Sequence, residues 1–338
     1  MNLKTNYMGV ELKNPVIVGA SNLVTDTGAL KKIEEEGAGA VVYKTLFEEQ
    51  IHLENLQNYH AEEDYATRHA EMDTSPYPLS DEASGPEEFL SKLKEAREAL
   101  NIPLFASLNC VYDETWEEYA LKIEETGVAG IELNFYSIPR TFEIDGRSII
   151  TEQYDLLEKV KKAVKIPVAV KLSPYYANVL HVVGEMDKRG AGAFILFNRL
   201  FQPEIDIDLE EHYFPYNLST QNDNRIALRF AGLLYGEIKG NICANTGIFT
   251  GEDVISMILA GADTVQVVST LYKNGIGQIS VILREMENWM KKKGYKSLNE
   301  FRGKLSNKTL RDPFTYKRAQ YVDILMKSEE IFKKYPLI

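Results

Sequence analysis

Short apolar runs rich in β-branched residues recur along the chain at 16–20, 40–43, 104–108, 130–133, 168–170, 193–197, 241–244 and 264–268. Each is too short for a helix and is bounded by polar residues, which predicts eight buried strands. Between most of them, apolar residues return at three- and four-residue spacing, over 29–36, 115–125, 152–164, 179–188, 225–235, 252–259 and 276–292, which predicts amphipathic helices. Four strands follow the same punctuation, Gly37-Ala38, Gly127-Val128, Gly190-Ala191 and Gly261-Ala262. A glycine there can close the helix in a left-handed conformation and turn the chain into the next strand.

Strands alternating with helices imply parallel strands joined by right-handed crossovers. Eight such units over this length predict an α/β fold of the (β/α)8 TIM-barrel type. A doubly wound sheet is disfavoured, because it usually has fewer strands and no G-x-G-x-x-G follows the first strand. The expected organisation is one barrel domain over 1–304 with insertions at about 48–86 and 199–221, then a peripheral helical tail over 305–338. Residues 1–14 read as a hairpin turning near Met8-Gly9, placed to plug the bottom of the barrel. The first insertion carries His52, His60, His69, Tyr59, Tyr65 and Tyr77; the second carries Phe201, Tyr213, Phe214 and Tyr216. Their aromatic content predicts ordered loops that cover something.

Charge removes several classes of function. With 50 acidic against 38 basic residues the formal net charge is −12, and no basic stripe exists to release counterions from a nucleic acid. No apolar run approaches the roughly 18 residues of a membrane helix, and the first residues lack a signal-peptide layout, so the expected address is cytoplasmic. Cys110 and Cys243 are too few for a disulfide framework, and no Cys/His spacing resembles a zinc site.

A barrel keeps its active site at the C-terminal ends of its strands, so the residues ending each apolar run are the candidates. They are Ser21 and Asn22, Lys44, Asn109, Asn134, Lys171, Asn198, Asn245 and Thr246, and Ser269 and Thr270. Any one of these Asn or Ser residues could simply cap the next helix, but a ring of amides, hydroxyls and two lysines suits a polar ligand. No carboxylate pair sits there for glycoside hydrolysis, and no metal-ligating cluster does either. Glu132 lies two residues before Asn134 and so points the same way but deeper; it reads as a structural partner for a buried lysine such as Lys171. Backbone amides at Gly247 and at Ser269-Thr270 form a candidate phosphate cradle, and Thr250-Gly-Glu-Asp reads as a helix cap compatible with it. Two chemistries fit this set: FMN, with a lysine stabilising negative charge on the reduced ring, and a Schiff-base aldolase using Lys171. Spacing alone does not separate them.

The residues Leu-Lys-Asn-Pro-Val-Ile-Val-Gly-Ala-Ser at 12–21, the Lys44 strand, Ile-Glu-Leu-Asn at 131–134, Val-Lys-Leu-Ser-Pro at 170–174 and Asn198 also form a familiar series. So does Thr-Gly-Ile-Phe-Thr-Gly-Glu-Asp leading to Ala-Gly-Ala-Asp-Thr-Val-Gln-Val. In order, from about Leu3 to Gly303, they resemble the dihydroorotate dehydrogenases, and the closing Lys-Gly-Tyr-Lys-Ser-Leu-Asn-Glu-Phe-Arg-Gly-Lys-Leu resembles their soluble, cytosolic type. The resemblance implies a barrel with non-covalent FMN that oxidises dihydroorotate to orotate in pyrimidine biosynthesis, acts with a soluble electron acceptor and forms a homodimer. By position, Ala20 and Ser21 would lie against the flavin and Lys44 and Lys171 at its polar edge. Asn109 and Asn134 would approach the ring or substrate, Asn198 the substrate, and Thr246, Gly247, Ser269 and Thr270 the phosphate. The base is Ser137 counted from Asn134, whereas counting back from Pro139 gives Ile138, because the run Asn134-Phe-Tyr-Ser-Ile-Pro-Arg is one residue longer than the family pattern; Tyr136 is the other candidate base. Residues 77–86, Tyr-Pro-Leu-Ser-Asp-Glu-Ala-Ser-Gly-Pro, depart from the family's substrate loop. Together these departures describe a divergent branch, whose alternatives are an FMN oxidoreductase with another substrate or a flavin-binding module without turnover.

Overall fold

The computed structural model describes residues 1–47, 86–110, 113–136, 141–200, 202–213, 218–312 and 314–334. Eight parallel strands close into a barrel: β3 (Val16–Val18), β4 (Ala40–Phe47), β5 (Leu104–Asn109), β6 (Gly130–Asn134), β7 (Val168–Leu172), β8 (Ala193–Leu196), β11 (Asn241–Ala244) and β12 (Thr264–Val267). β12 pairs with β3, so the chain order runs around the ring without a crossing. Every barrel strand matches one of the apolar runs. The runs leave the ends unsettled, because several strands take in the polar residue that follows. Asn109 and Asn134 end β5 and β6, Lys171 lies inside β7, and β4 continues four residues past the predicted end to Phe47.

Around the barrel lie α1 (Thr27–Glu35), α2 (Pro86–Ala99), α3 (Asp113–Glu125), α4 (Gly146–Ala163), α5 (Val179–Lys188), α6 (Arg225–Leu234), α7 (Gly251–Ala260), α8 (Ser269–Asn274) and α9 (Gln278–Lys293). Their starts are set by capping side chains. Asp26 accepts from the Ala29 amide, Asn178 from His181, and Asp145 from Arg147 and Ser148, which begins α4 six residues before the apolar period suggests. Gly37, Gly127, Gly190 and Gly261 all have positive φ, between +79° and +136°, as the helix-to-strand punctuation requires. α2 has no counterpart among the predicted helices. It buries Phe89, Leu93 and Ala96 on one stripe, and its starting Pro86 gives up no helical hydrogen bond; the abundant charges between those apolar residues hide the period.

The N-terminal hairpin forms as expected from β1 (Thr5–Tyr7) and β2 (Val10–Leu12), turning through Met8 and Gly9, both with positive φ. Tyr7 and Leu12 enter the barrel's inner cluster with Ile17, Val42, Phe105 and Cys243, and Tyr7 meets Phe105 edge-on at 5.3 Å between ring centres. The Met8 amide donates to Asn241 Oδ1, which ties the plug to β11. In the second insertion, β9 (Glu204–Asp206) and β10 (Glu211–Tyr213) pair as a hairpin. Among the described residues its turn is exposed, Ile207 82% and Leu209 68%. Phe201, Phe214, Tyr216 and the whole of 48–85 lie outside the described residues. The tail is helical, with α10 (Arg318–Met326) and α11 (Ser328–Lys334). Among the described residues, no helix is long and apolar enough to cross a membrane.

Candidate functional site

Strand alternation decides which residues enter the barrel. Gly130, Glu132 and Asn134 of β6 share one face, as do Ala169 and Lys171 of β7, and their partners Phe105 and Ala169 belong to the inner cluster. Glu132 therefore sits one layer below Asn134 and Lys171, which pair in register at the mouth. The Lys171 ammonium lies 3.2 Å from Glu132 Oε1, and Gln266 Nε2 on β12 donates to Glu132 Oε2 at 2.6 Å. All three side chains are buried. The sequence reading of Glu132 as the partner of Lys171 holds. Gln266 was missed, although a polar residue in the middle of Thr-Val-Gln-Val, on the inward register, was the signal that could have found it.

Above this layer the asparagines form a chain. Asn109 Nδ2 donates to the Asn134 carbonyl at 2.6 Å, and Asn198 Nδ2 donates to Asn134 Oδ1 at 2.8 Å. Asn134 thus links β5, β6 and the residue two beyond the end of β8, which brings together three candidates separated in sequence. Lys44 lies at a register shift in β4 between Val42 and Thr45, beside a buried Thr45–Ser107 hydroxyl pair, and is interior to its strand instead of following it. Ala20 and Ser21 lead from β3 into a short 3-10 turn. The Ser21 hydroxyl is buried without a hydrogen-bond partner.

The loop after β11 is strained. Thr246 and Gly247 have φ of +73° and +76°, and such a value is a true outlier for a β-branched residue. Thr246 is held there by its hydroxyl, which donates to the Phe197 carbonyl, the acceptor also used by Asn245 Nδ2. Strain of this kind collects where a ligand must be met. Ser269 and Thr270 open α8 behind Val268, an N-cap residue that makes no side-chain cap bond. Thr270 Oγ1 donates to the Phe249 carbonyl, and Ser269 Oγ accepts from the Ser219 amide. What remains for a ligand is the Ser269 hydroxyl proton and the backbone amides of the helix start. Thr250 caps α7 through a reciprocal box with Asp253, so its capping role is realised.

Ser219 was not among the sequence candidates. Its amide donates to Ser269, its hydroxyl accepts from the Gly247 amide at 3.2 Å, and its carbonyl accepts from Lys273 Nζ at 2.9 Å. It therefore ties together the two loops of the cradle. Behind it, Thr220 and Asp223 form a second capping box, Arg199 pairs with Asp223 at 3.0 Å, and the turn packs so closely that a Cβ on Gly247 would lie 2.5 Å from the Asn224 nitrogen. The Thr-x-x-Asp pattern at 220–223 was the available sequence signal. Ser137, with Ile138 and Pro139, lies outside the described residues.

A parallel barrel with a convergent mouth of amides, hydroxyls and lysines, and a strained loop beside a helix start on its last two strands, defines a (β/α)8 enzyme for a polar ligand. The dihydroorotate dehydrogenase family model matches residues 81–290. The catalytic subunit of dihydroorotate dehydrogenase B (NAD+) from Methanocaldococcus jannaschii is 31% identical over 300 residues, covering 86% of this chain and 94% of the relative. Its namesake from Thermoplasma volcanium is 30% identical over 294 residues, 85% and 91%. Dihydroorotate dehydrogenase A (fumarate) from Lactobacillus helveticus is 26% identical over 317 residues, 90% and 99%. The chain belongs to the dihydroorotate dehydrogenase family, whose members are FMN-dependent oxidoreductases acting on CH–CH bonds. That membership sets aside the Schiff-base alternative, and Lys171 itself stands in an ion pair with Glu132.

Proposed function

We propose that this protein binds FMN without a covalent bond and oxidises a CH–CH bond of a dihydropyrimidine, with dihydroorotate the first candidate and orotate the product. The observation that carries the reading is the hydrogen-bonded Asn109–Asn134–Asn198 chain at the barrel mouth, with Lys171 in register beside it. Three features support the cofactor: the buried, unpartnered Ser21 hydroxyl, the left-handed Thr246-Gly247 turn, and the helix start at Ser269 with no side-chain cap. In this reading Ala20, Ser21, Asn109, Asn134, Lys44 and Lys171 hold the ring. Asn134 and Asn198 hold the substrate. The amides of Thr246, Ser269 and Thr270 hold the phosphate beside the tight Gly247 turn, with Ser219 fixing their spacing.

FMN supplies the hydride acceptor, atom N5, when bound. The chain's own contribution is to orient the substrate carbon and to remove its proton. Ser137, following Asn134, is the proposed base, and its hydroxyl needs an acceptor for its own proton to act near neutral pH. The asparagines fix a planar, hydrogen-bonding substrate by donors and acceptors in set positions, and the lysines stabilise negative charge by placed electrostatics. A soluble electron acceptor and a homodimer complete the proposal.

The test is an absorbance spectrum of the purified protein followed by dihydroorotate without oxygen. A yellow protein that bleaches is expected, and Ser137→Ala should slow the bleaching. A yellow protein left unbleached by dihydroorotate shifts the reading to another CH–CH substrate, to which the departures at 77–86 and after Asn134 already point. A colourless protein that added FMN does not restore overturns it.

A further inference from the structure

The ion pair beneath the mouth has a use that neither the fold nor the substrate requires. Burying a carboxylate and an ammonium together costs solvation that the attraction between them often only offsets, so hydrophobic residues of the same volume would hold this layer as well. Here the pair is further elaborated: Gln266 reaches across from β12 to hold Glu132 Oε2 at 2.6 Å, leaving Oε1 on the Lys171 side at 3.2 Å. Glu132 is 1% exposed and Gln266 1%, so water neither solvates nor screens them. The surroundings add little other charge. Tyr7 and Cys243 face the same layer, and burial pushes the Tyr7 hydroxyl well above its ordinary range and the Cys243 thiol up to about 12, so both are neutral at physiological pH. The carboxylate is thus the one group of the described inner layer that opposes the Lys171 charge.

We propose that Glu132, oriented by Gln266, is a positioning residue that acts through Lys171: it draws the ammonium down into the barrel and offsets part of its charge, and so sets the electron affinity of the cofactor at the mouth. The inference rests on the FMN reading above. A bare ammonium near the ring favours the reduced, more negative flavin. An ammonium paired with a carboxylate at 3.2 Å presents a dipole, whose influence is weaker and falls off faster. The barrel therefore holds the potential below the value that an unpaired lysine would give. Gln266 matters because a glutamate free to rotate would pair with Lys171 only part of the time.

The test is the midpoint potential of the FMN-loaded protein, measured by anaerobic reductive titration, together with FMN binding by the apoprotein followed by flavin fluorescence. Glu132→Gln keeps the shape and an acceptor for Gln266, and should favour the reduced flavin about tenfold, an upward shift of about 30 mV for a two-electron couple. Lys171→Met should move the potential downward. In the Lys171→Met background, Glu132→Gln should shift the potential far less, because the ammonium through which it acts is gone. FMN affinity should change less in Glu132→Gln than in Lys171→Met. If Glu132→Gln does not fold, Glu132→Asp keeps the charge but retracts it by one methylene, and an upward shift about half as large is expected. An unmoved potential in the folded variant overturns the proposal. So does the same shift in both lysine backgrounds, which would mean that Glu132 acts on the flavin directly. A protein that takes up no flavin brings down the functional reading and this inference with it, whereas an unmoved potential in a yellow protein removes only the inference.

Discussion

Gly247 gives the most direct check on the phosphate side of the site. Its φ is +76°, and an added Cβ would lie 2.5 Å from the Asn224 nitrogen and 2.8 Å from the Thr220 carbonyl oxygen. Both are backbone atoms fixed by the Thr220–Asp223 capping box, so neither can swing away like the end of a flexible side chain. Gly127 supplies the control: its φ is +79°, and a Cβ there meets nothing within 4 Å. Gly127→Ala therefore carries the conformational cost alone, about 1–2 kcal/mol. Gly247→Ala carries the same cost plus about 1–3 kcal/mol for displacing packed backbone, so about 2–5 kcal/mol altogether. The displaced atoms are those that set the cradle. If 1–3 kcal/mol of that penalty is felt in the bound state, FMN affinity falls by about 5- to 150-fold, since 1.4 kcal/mol is tenfold. The assay is titration of each apoprotein with FMN, followed by quenching of flavin fluorescence, with urea unfolding of the same samples. Both variants should lose stability, and only Gly247→Ala should lose affinity. Equal affinity in the two variants would refute the assignment of this loop to the phosphate.

Two further outcomes follow from the barrel interior. Burial pushes the Cys243 thiol up to about 12. The folded value lies above the unfolded one of about 8.5, so the neutral thiol's contribution to stability is complete below that pH and is lost as pH rises through about 12. Cys243→Ala should flatten the alkaline fall in urea stability, and the native thiol should resist a thiol reagent at pH 8; rapid labelling of the folded protein would contradict this. Leu12, fully buried in the plug, should cost about 2–5 kcal/mol when replaced by Ala in urea unfolding. A loss below about 1 kcal/mol would show that the hairpin does not close the barrel.

Much of this protein was decided by local pattern. The eight apolar runs, the helical periods and the four glycines at helix ends specify the order and kind of the barrel elements, because strand and helix periodicity are properties of neighbouring residues. The hairpin turn at Met8-Gly9 was legible for the same reason. Strand-end polar residues could be named as candidates because the fold class alone says which end of a strand carries chemistry. Where a strand stops was not legible: Lys44 sits inside β4 because Thr45, Leu46 and Phe47 find partners on β5, and pairing partners come from distant sequence.

The tertiary structure decided which candidates meet. Only barrel closure brings Gln266 across to Glu132, a separation of 134 residues, and only the register of β6 on β7 sets Asn134 beside Lys171. Ser219 acquired its place in the same way. It looks like any loop serine, but its amide, hydroxyl and carbonyl bond to Ser269, Gly247 and Lys273, up to 54 residues away. Side-chain identity along the chain limits what a site can contain, while distance, burial and the sharing of hydrogen bonds exist only once the strands have closed.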